Sequence, residues 1–452
     1  MGLEPVLLVL IVSLVGVSVA QERPPVLAKP RSPIAEDKEK TVACYWETRY
    51  YYSKNFDSED LDLALCTHLV YGYGVAVDVE GTQHGALDNT SWTLGHEDKR
   101  FDLDLGGFTN ISAIKMKRPQ IKVELAIGRW QTPEDFYIMA QDPEKRNTFI
   151  KSSVQFLTEH GFDGLHIHWG NPAESVSSQF RCPDCAASSG TIKKPNQLTA
   201  LLREMKQSFL PANLTISLAM WSPLPSKLKK NFEIANVYKY ADLVFVTAMQ
   251  YHGIWETRTG GFSPLFASKE PLVPDNRYLT VDASWSFLKR RGAIPCKTVL
   301  VIGLKGSGFQ LKDELVNGIE AGTFGAESAQ LVSGDEPDFN QICKLQKTAN
   351  WTLVWDDETK VTYAYRGDQW ISYEDRRSVE EKVKYANMEG MRGVAVTSLR
   401  QDDVYGECFN RTYPLLRTAY STQVTGLCGA GNLGCSFIGI TISLVVTLIV
   451  TQ

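Results

Sequence analysis

The chain has few of the features that mark the common alternatives to a globular domain. Formal net charge is only −5 over 452 residues, and no basic stripe or acidic tail is present. This argues against a nucleic-acid partner and against a long disordered charged tail. Nine cysteines are too few for a disulfide-built scaffold of this length, so any bridges staple a fold that has its own core. No internal repeat or low-complexity segment stands out. Long hydrophobic runs are missing too: the apolar stretches at 7–19 and 437–450 both fall short of the roughly 20 residues of an ordinary spanning helix.

What is there reads first as processing signals. Residues 1–20 end in Ser18-Val19-Ala20, with small residues where a signal peptidase reads, although a basic residue near Met1 is missing. Residues 21–40 are rich in Pro, Lys and Glu and form a flexible lead-in. Residues 437–452 carry no Lys or Arg, and the 419–436 linker before them holds the small residues Cys428, Gly429 and Ala430. Small residues, spacer and apolar tail are the layout of a lipid-anchor (GPI) signal, favoured here over a single spanning helix. Asn89, Asn110, Asn213, Asn350 and Asn410 each head a glycosylation triplet. Together these features place the protein in the secretory pathway, on the outer face of the plasma membrane.

Between the ends, an apolar content of 43% supplies a core. Strand patterns at 65–79, 121–127, 162–169, 214–220, 243–249, 298–304 and 393–399 alternate with helical ones. The clearest helix starts at Asp142 as N-cap with Pro143 behind it and ends at Gly161, with Phe149, Ile150, Ser153, Val154, Phe156 and Leu157 on one face. Such alternation over residues 41–418 predicts an α/β fold, a (β/α)8 TIM barrel. At about 309–377 the pattern turns short and aromatic, as in Trp351-Thr352-Leu353-Val354-Trp355, and predicts a small β-rich insertion.

Three segments resemble strand motifs of the family-18 chitinases: Cys66-Thr67-His68-Leu69-Val70-Tyr71, Leu125-Ala126-Ile127-Gly128-Arg129-Trp130 and Gly161-Phe162-Asp163-Gly164-Leu165. His252-Gly253-Ile254-Trp255 and Gly260-Gly261-Phe262-Ser263-Pro264-Leu265 resemble the segment around that family's sixth strand. The resemblance implies a small α+β insertion domain between strands seven and eight. It also implies disulfides Cys44–Cys66 and Cys343–Cys408, while the pairing of Cys182, Cys185 and Cys296 stays open.

The same resemblance exposes departures. The family's catalytic strand reads DGxDxDWE; here it reads Asp163-Gly164-Leu165-His166-Ile167-His168-Trp169-Gly170. Positions 166, 168 and 170 share one strand face, which in such a barrel points inward near the C-terminal mouth. Family chemistry uses the terminal Glu as acid and the substrate's own acetamide as nucleophile, an exception to the two-carboxylate scheme. Gly170 has no proton to give, and His168 sets an imidazole where an orienting carboxylate is implied. Met249 and Gln250 stand where the family has Tyr and Asp, and Thr397 stands where it has the Trp under the central sugar. The ligand-binding residues implied to remain, or to line the altered pocket, are Tyr45, Tyr73, Trp130, Trp255, Met249 and Gln250.

His166-x-His168 also invites a metal, with His252, Asp163 or Gln250 as the third ligand, but satisfied polar residues in a degenerate pocket are the plainer reading. No metal and no cofactor is expected. The expectation is a chitinase-like surface protein without hydrolase activity, binding a chitin-type glycan or an extracellular protein. Its rivals are a hydrolase with residual activity on N-acetylglucosamine polymers, using a carboxylate such as Glu174, and a purely protein-binding receptor or scaffold.

Overall fold

The computed structural model describes residues 41–48, 50–51, 56–78, 92–96, 102, 107–128, 139–169, 196–221, 232–325, 334 and 336–424. Eight strands close a parallel barrel: β1 (Thr41–Glu47), β2 (His68–Asp78), β4 (Lys122–Ile127), β5 (Gly164–His168), β6 (Thr215–Trp221), β7 (Leu243–Thr247), β8 (Thr298–Gly303) and β13 (Gly393–Thr397). Each pairs with the next, and β1 pairs with both β2 and β13, so no edge is left open. One further strand, β3 (Trp92–His96), runs antiparallel to the end of β2 and has no counterpart in the sequence reading.

Strand alternation sorts the side chains. Val42, Cys44 and Trp46 of β1, with Leu165 and Ile167 of β5, face outward into the layer of helices. Ala43, Tyr45, Val70, Ala126, Phe245, Val299, Val301 and Ala395 pack inside the barrel. That outer layer is built from α1 (Gly107–Lys117), α2 (Pro143–Glu159), α3 (Asn196–Phe209), α4 (Ile234–Tyr240), α5 (Val281–Lys289), α7 (Arg376–Met388) and α8 (Pro414–Thr422). In α2 the Asp142 side chain accepts from Glu144 N at 2.8 Å and Lys145 N at 3.3 Å, a normal N-cap. Phe149, Ile150, Ser153 and Leu157 of that helix are buried, whereas Val154 and Phe156 are only partly so.

Between β8 and α7 the chain builds a second, antiparallel sheet in the order β10-β11-β12-β9, from β9 (Gly306–Gln310), β10 (Thr352–Asp356), β11 (Val361–Arg366) and β12 (Gln369–Tyr373). Helix α6 (Phe339–Thr348) lies between β9 and β10. The insertion therefore begins at Gly306, before the aromatic pattern that announced it, because glycine-rich β9 carries little side-chain signal. Phe309, Tyr363 and Trp370 form its own core, the last two stacked at 5.0 Å. Disulfides join Cys44 to Cys66, from β1 to the turn before β2, and Cys343 of α6 to Cys408. No helix among the described residues is long and apolar enough to cross a membrane.

Candidate functional site at the barrel mouth

The inward face of β5 presents two imidazoles in sequence. His166 is fully buried, with Nε2 2.9 Å from the Tyr45 hydroxyl of β1 and Nδ1 2.7 Å from Ser217 Oγ of β6. The edge of its ring meets Phe245 of β7 at 4.8 Å between centroids. His168, one inward step nearer the mouth, is partly buried and lies 3.4 Å from the Tyr73 hydroxyl through Nδ1. Burial disfavours the charged ring at both positions; it holds His166 well below the usual imidazole range and depresses His168 to about 4.

Beneath them sits a residue the sequence reading did not single out. Glu124 of β4 is buried and accepts from Ser217 Oγ at one oxygen and from Thr215 Oγ1 at the other, the latter at 2.7 Å. Burial outweighs these two bonds and pushes its carboxyl up to about 7. A signal for it was present. In Lys122-Val123-Glu124-Leu125-Ala126-Ile127 the carboxylate shares the face of inward-packed Ala126, so alternation alone aims it into the barrel.

The remaining candidates divide. Tyr45 and Tyr73 belong to the inner cluster, and Met249 packs against it from the strand end, filling the space over Gly303. A Cβ at Gly303 would meet the Met249 sulfur at 2.2 Å. The sheet ends at Thr247, two residues short of the expected 249, and Gln250 turns away with φ 58°. Its amide donates to Glu336, which lies 3.6 Å from Lys305, so Gln250 is held by the segment leading into α6. Thr397 ends β13, where its carbonyl accepts from Leu304 N at 2.9 Å. Trp255 is 55% exposed and its ring lies over Gly253.

Asp163 does not join the mouth. It precedes β5 at the opposite end of the strand, accepts from Val123 N at 2.9 Å and pairs with Lys115 at 2.8 Å, which makes it a latch between β4 and β5. His252 is buried, 2.8 Å from Glu256, and its carbonyl accepts from Ser307 of the insertion. Among the described residues no group of three or more His, Cys, Asp or Glu is placed to hold a metal. A cavity of about 130 Å³ opens elsewhere, between the 252–280 segment and the insertion, lined by His252, Thr259, Glu320 and Asp356 among others. Trp130, Gly170, Glu174, Asn89, Cys182, Cys185, Cys428, Gly429 and Ala430 lie outside the described residues. Of the other sequons, Asn213, Asn350 and Asn410 are exposed, whereas Asn110 sits partly buried within α1.

A closed parallel barrel with an α+β insertion after its seventh strand narrows the field, and one comparison decides it. The family model described as glycosyl hydrolases family 18 matches residues 41–402. The chain belongs to that family. Over 384 residues it is 29% identical to Probable chitinase 10 of Drosophila melanogaster, covering 83% of this chain and 16% of that much longer protein. Among solved structures, the Group IV chitinase of Ostrinia furnacalis is 29% identical with a TM-score of 0.73, covering 85% of this chain and 99% of that one. Human YKL-39, whose structure is described as that of a pseudo-chitinase with retained chitooligosaccharide binding properties, shares the fold at 22% identity and TM-score 0.71, over 85% of this chain and 99% of its own. One barrel architecture thus serves proteins described as chitinases and one described as a pseudo-chitinase.

Proposed function

We propose that this family-18 barrel is a non-hydrolytic, chitinase-like protein of the cell surface that binds a chitin-type oligosaccharide or an extracellular protein partner at its mouth. The observation that carries the reading is the makeup of the inward face of β5, which presents the imidazoles of His166 and His168 and no carboxyl group. Burial depresses His168 to about 4, so its ring is uncharged near neutral pH and does not replace the orienting carboxylate that the family motif implies. His166, deeper in, has both ring nitrogens engaged inside the barrel. Gly170 carries no functional group at all. Met249 filling the space over Gly303, and Gln250 turned toward Glu336, support a central sugar site that is altered as well as acid-free.

An extracellular setting draws support from two disulfides and from the exposed sequons at Asn213, Asn350 and Asn410. Attachment through a lipid at the Cys428–Ala430 region is the favoured form, and release of the protein from intact cells by a phosphatidylinositol-specific phospholipase tests it.

Kinship with chitinases favours one competing reading, residual hydrolysis. A turnover assay on chitin oligosaccharides, run beside a glycan array, separates the two. The binding reading expects no product, together with an array signal that falls in Trp255→Ala and Trp130→Ala variants. Product formation abolished by changing one pocket residue would sink it. A silent array with no turnover would leave the protein-binding role.

A further inference from the structure

Four side chains from four strands form one continuous hydrogen-bonded line through the barrel: Glu124, Ser217, His166 and Tyr45, in that order. Three of them, Ser217, His166 and Tyr45, are each able to donate or accept, so the line has a direction that the fourth, Glu124, must set. With Glu124 ionised, it only accepts. Ser217 then donates to Glu124, His166 donates from Nδ1 to Ser217, and Tyr45 donates to Nε2. Each partner's role follows from the one before it.

We propose that this line is a proton wire between the barrel mouth and Glu124, with two polarities. In the second polarity every hydrogen has moved one place toward Glu124. Ser217's hydrogen becomes the carboxylic proton, the Nδ1 hydrogen becomes Ser217's, and the Tyr45 hydrogen becomes the Nε2 hydrogen of His166. Tyr45 is itself only 4% exposed, so under this proposal one proton reaches it from the mouth side and replaces the hydrogen it gave up; a single proton enters and the imidazole stays neutral throughout. The buried carboxylate thus takes up its proton without itself meeting water. Tyr45 changes from a hydroxyl committed to His166 into one that accepts from His166 and has its hydrogen free for a neighbour. Its effect on a glycan rests on the binding reading above; the wire itself needs no ligand.

The surroundings of Glu124 keep its two states close in energy. Burial pushes it up to about 7, assisted by Asp242 and Asp163, while Ser217 and Thr215 oppose the rise. Asp163 is itself held by Lys115 and Lys122, and Asp242 by Lys206. On β2, uncharged Val70 stands beside Glu124, and His68 below it bonds to Thr67 Oγ1 at 2.9 Å. On β1, Glu47 lies one inward step above Tyr45, whose phenolate is disfavoured first by burial and then by Tyr73, Glu124 and Glu47; Phe245 closes the β7 side.

Histidine-selective 15N labelling of the full chain reads the wire directly, with the His166 signals assigned by their loss in His166→Gln. The expected result is protonated Nδ1 at pH 8.5 and protonated Nε2 at pH 5.5, with no imidazolium at either. Glu124→Gln, whose amide donates to Ser217, holds the second polarity at every pH. Ser217→Ala keeps Glu124 but cuts the line, so the tautomer stops responding to pH. A wild-type tautomer unchanged between these pH values overturns the proposal, as does an unaltered response in Glu124→Gln. If that variant does not fold, the wild type and Ser217→Ala decide. Chitotetraose titrations at the same two pH values separate the readings: a tautomer switch with no sugar binding leaves the wire standing and removes the chitin-type ligand.

Discussion

A buried imidazole and a buried carboxylate shift in opposite directions, and the barrel interior holds both. For Glu124 the folded pKa rises from 4.5 to about 7. Below 4.5 both the folded and the unfolded chain carry the proton, and the group costs nothing. As pH rises from 4.5 to about 7 the unfolded chain ionises first, so stability falls, and above that window the full penalty remains. The total is about 3 kcal/mol at roughly 1.36 kcal/mol per unit. Glu124→Gln is therefore expected to gain stability relative to wild type at pH 8 over pH 5, by about 2 to 3 kcal/mol in urea unfolding run at both. An equal difference at the two pH values would show that Glu124 does not carry this cost. His168 acts in the reverse sense: its depressed pKa lowers stability as pH falls from 6.5 to about 4. The sequence drew attention to both histidines through their departure from a family motif. It did not draw attention to Glu124: alternation puts it on the face of Ala126, but no family motif marks the position, and its partners Ser217 and Thr215 lie on a strand about 90 residues away.

At the scale of elements, two glycines show why some boundaries were readable and others were not. Gly161, after α2, has φ 76° with nothing near its missing side chain, and the helix-ending pattern made it legible. Gly393 opens β13, where a Cβ would come 2.0 Å from the Thr41 carbonyl at the seam that closes the barrel. Nothing in its neighbouring residues announces that contact, which depends on a strand some 350 positions away. Gly161→Ala carries only the left-handed backbone cost, roughly 1 to 2 kcal/mol. Gly393→Ala must push backbone apart and is expected to cost about 3 kcal/mol or more. Thermal unfolding of the two variants side by side checks the order; equal shifts would mean the seam can relax. The same division explains β3 and β9, whose pairings join segments that carry no distinctive local pattern, whereas the β4 and β5 strands were visible from alternation and from the turn residues before them.

For the whole molecule, inactivity under this reading is distributed, and that has a consequence for repair. Restoring the family's carboxylates alone, as His166→Asp, His168→Asp and Gly170→Glu, would put a carboxyl group at position 166, across Ser217 from Glu124. Two carboxyl groups sharing one buried hydroxyl cannot both ionise without a large penalty, so one stays protonated and the barrel loses stability near neutral pH. Adding Glu124→Leu removes that conflict and is expected to recover folding stability. Turnover is a separate matter, because under the proposed reading Met249, Gln250 and Thr397 still leave the acetamide without its partners and the central sugar without its floor. Chitin-oligosaccharide hydrolysis by the four-residue variant is therefore expected to stay at least about 10²-fold below that of the Ostrinia furnacalis Group IV chitinase assayed alongside. Further replacement by Met249→Tyr, Gln250→Asp and Thr397→Trp should raise it. Full activity from the three carboxylates alone would place the whole loss at the acid and its neighbours, and would mean that the mouth had kept its grip on the central sugar.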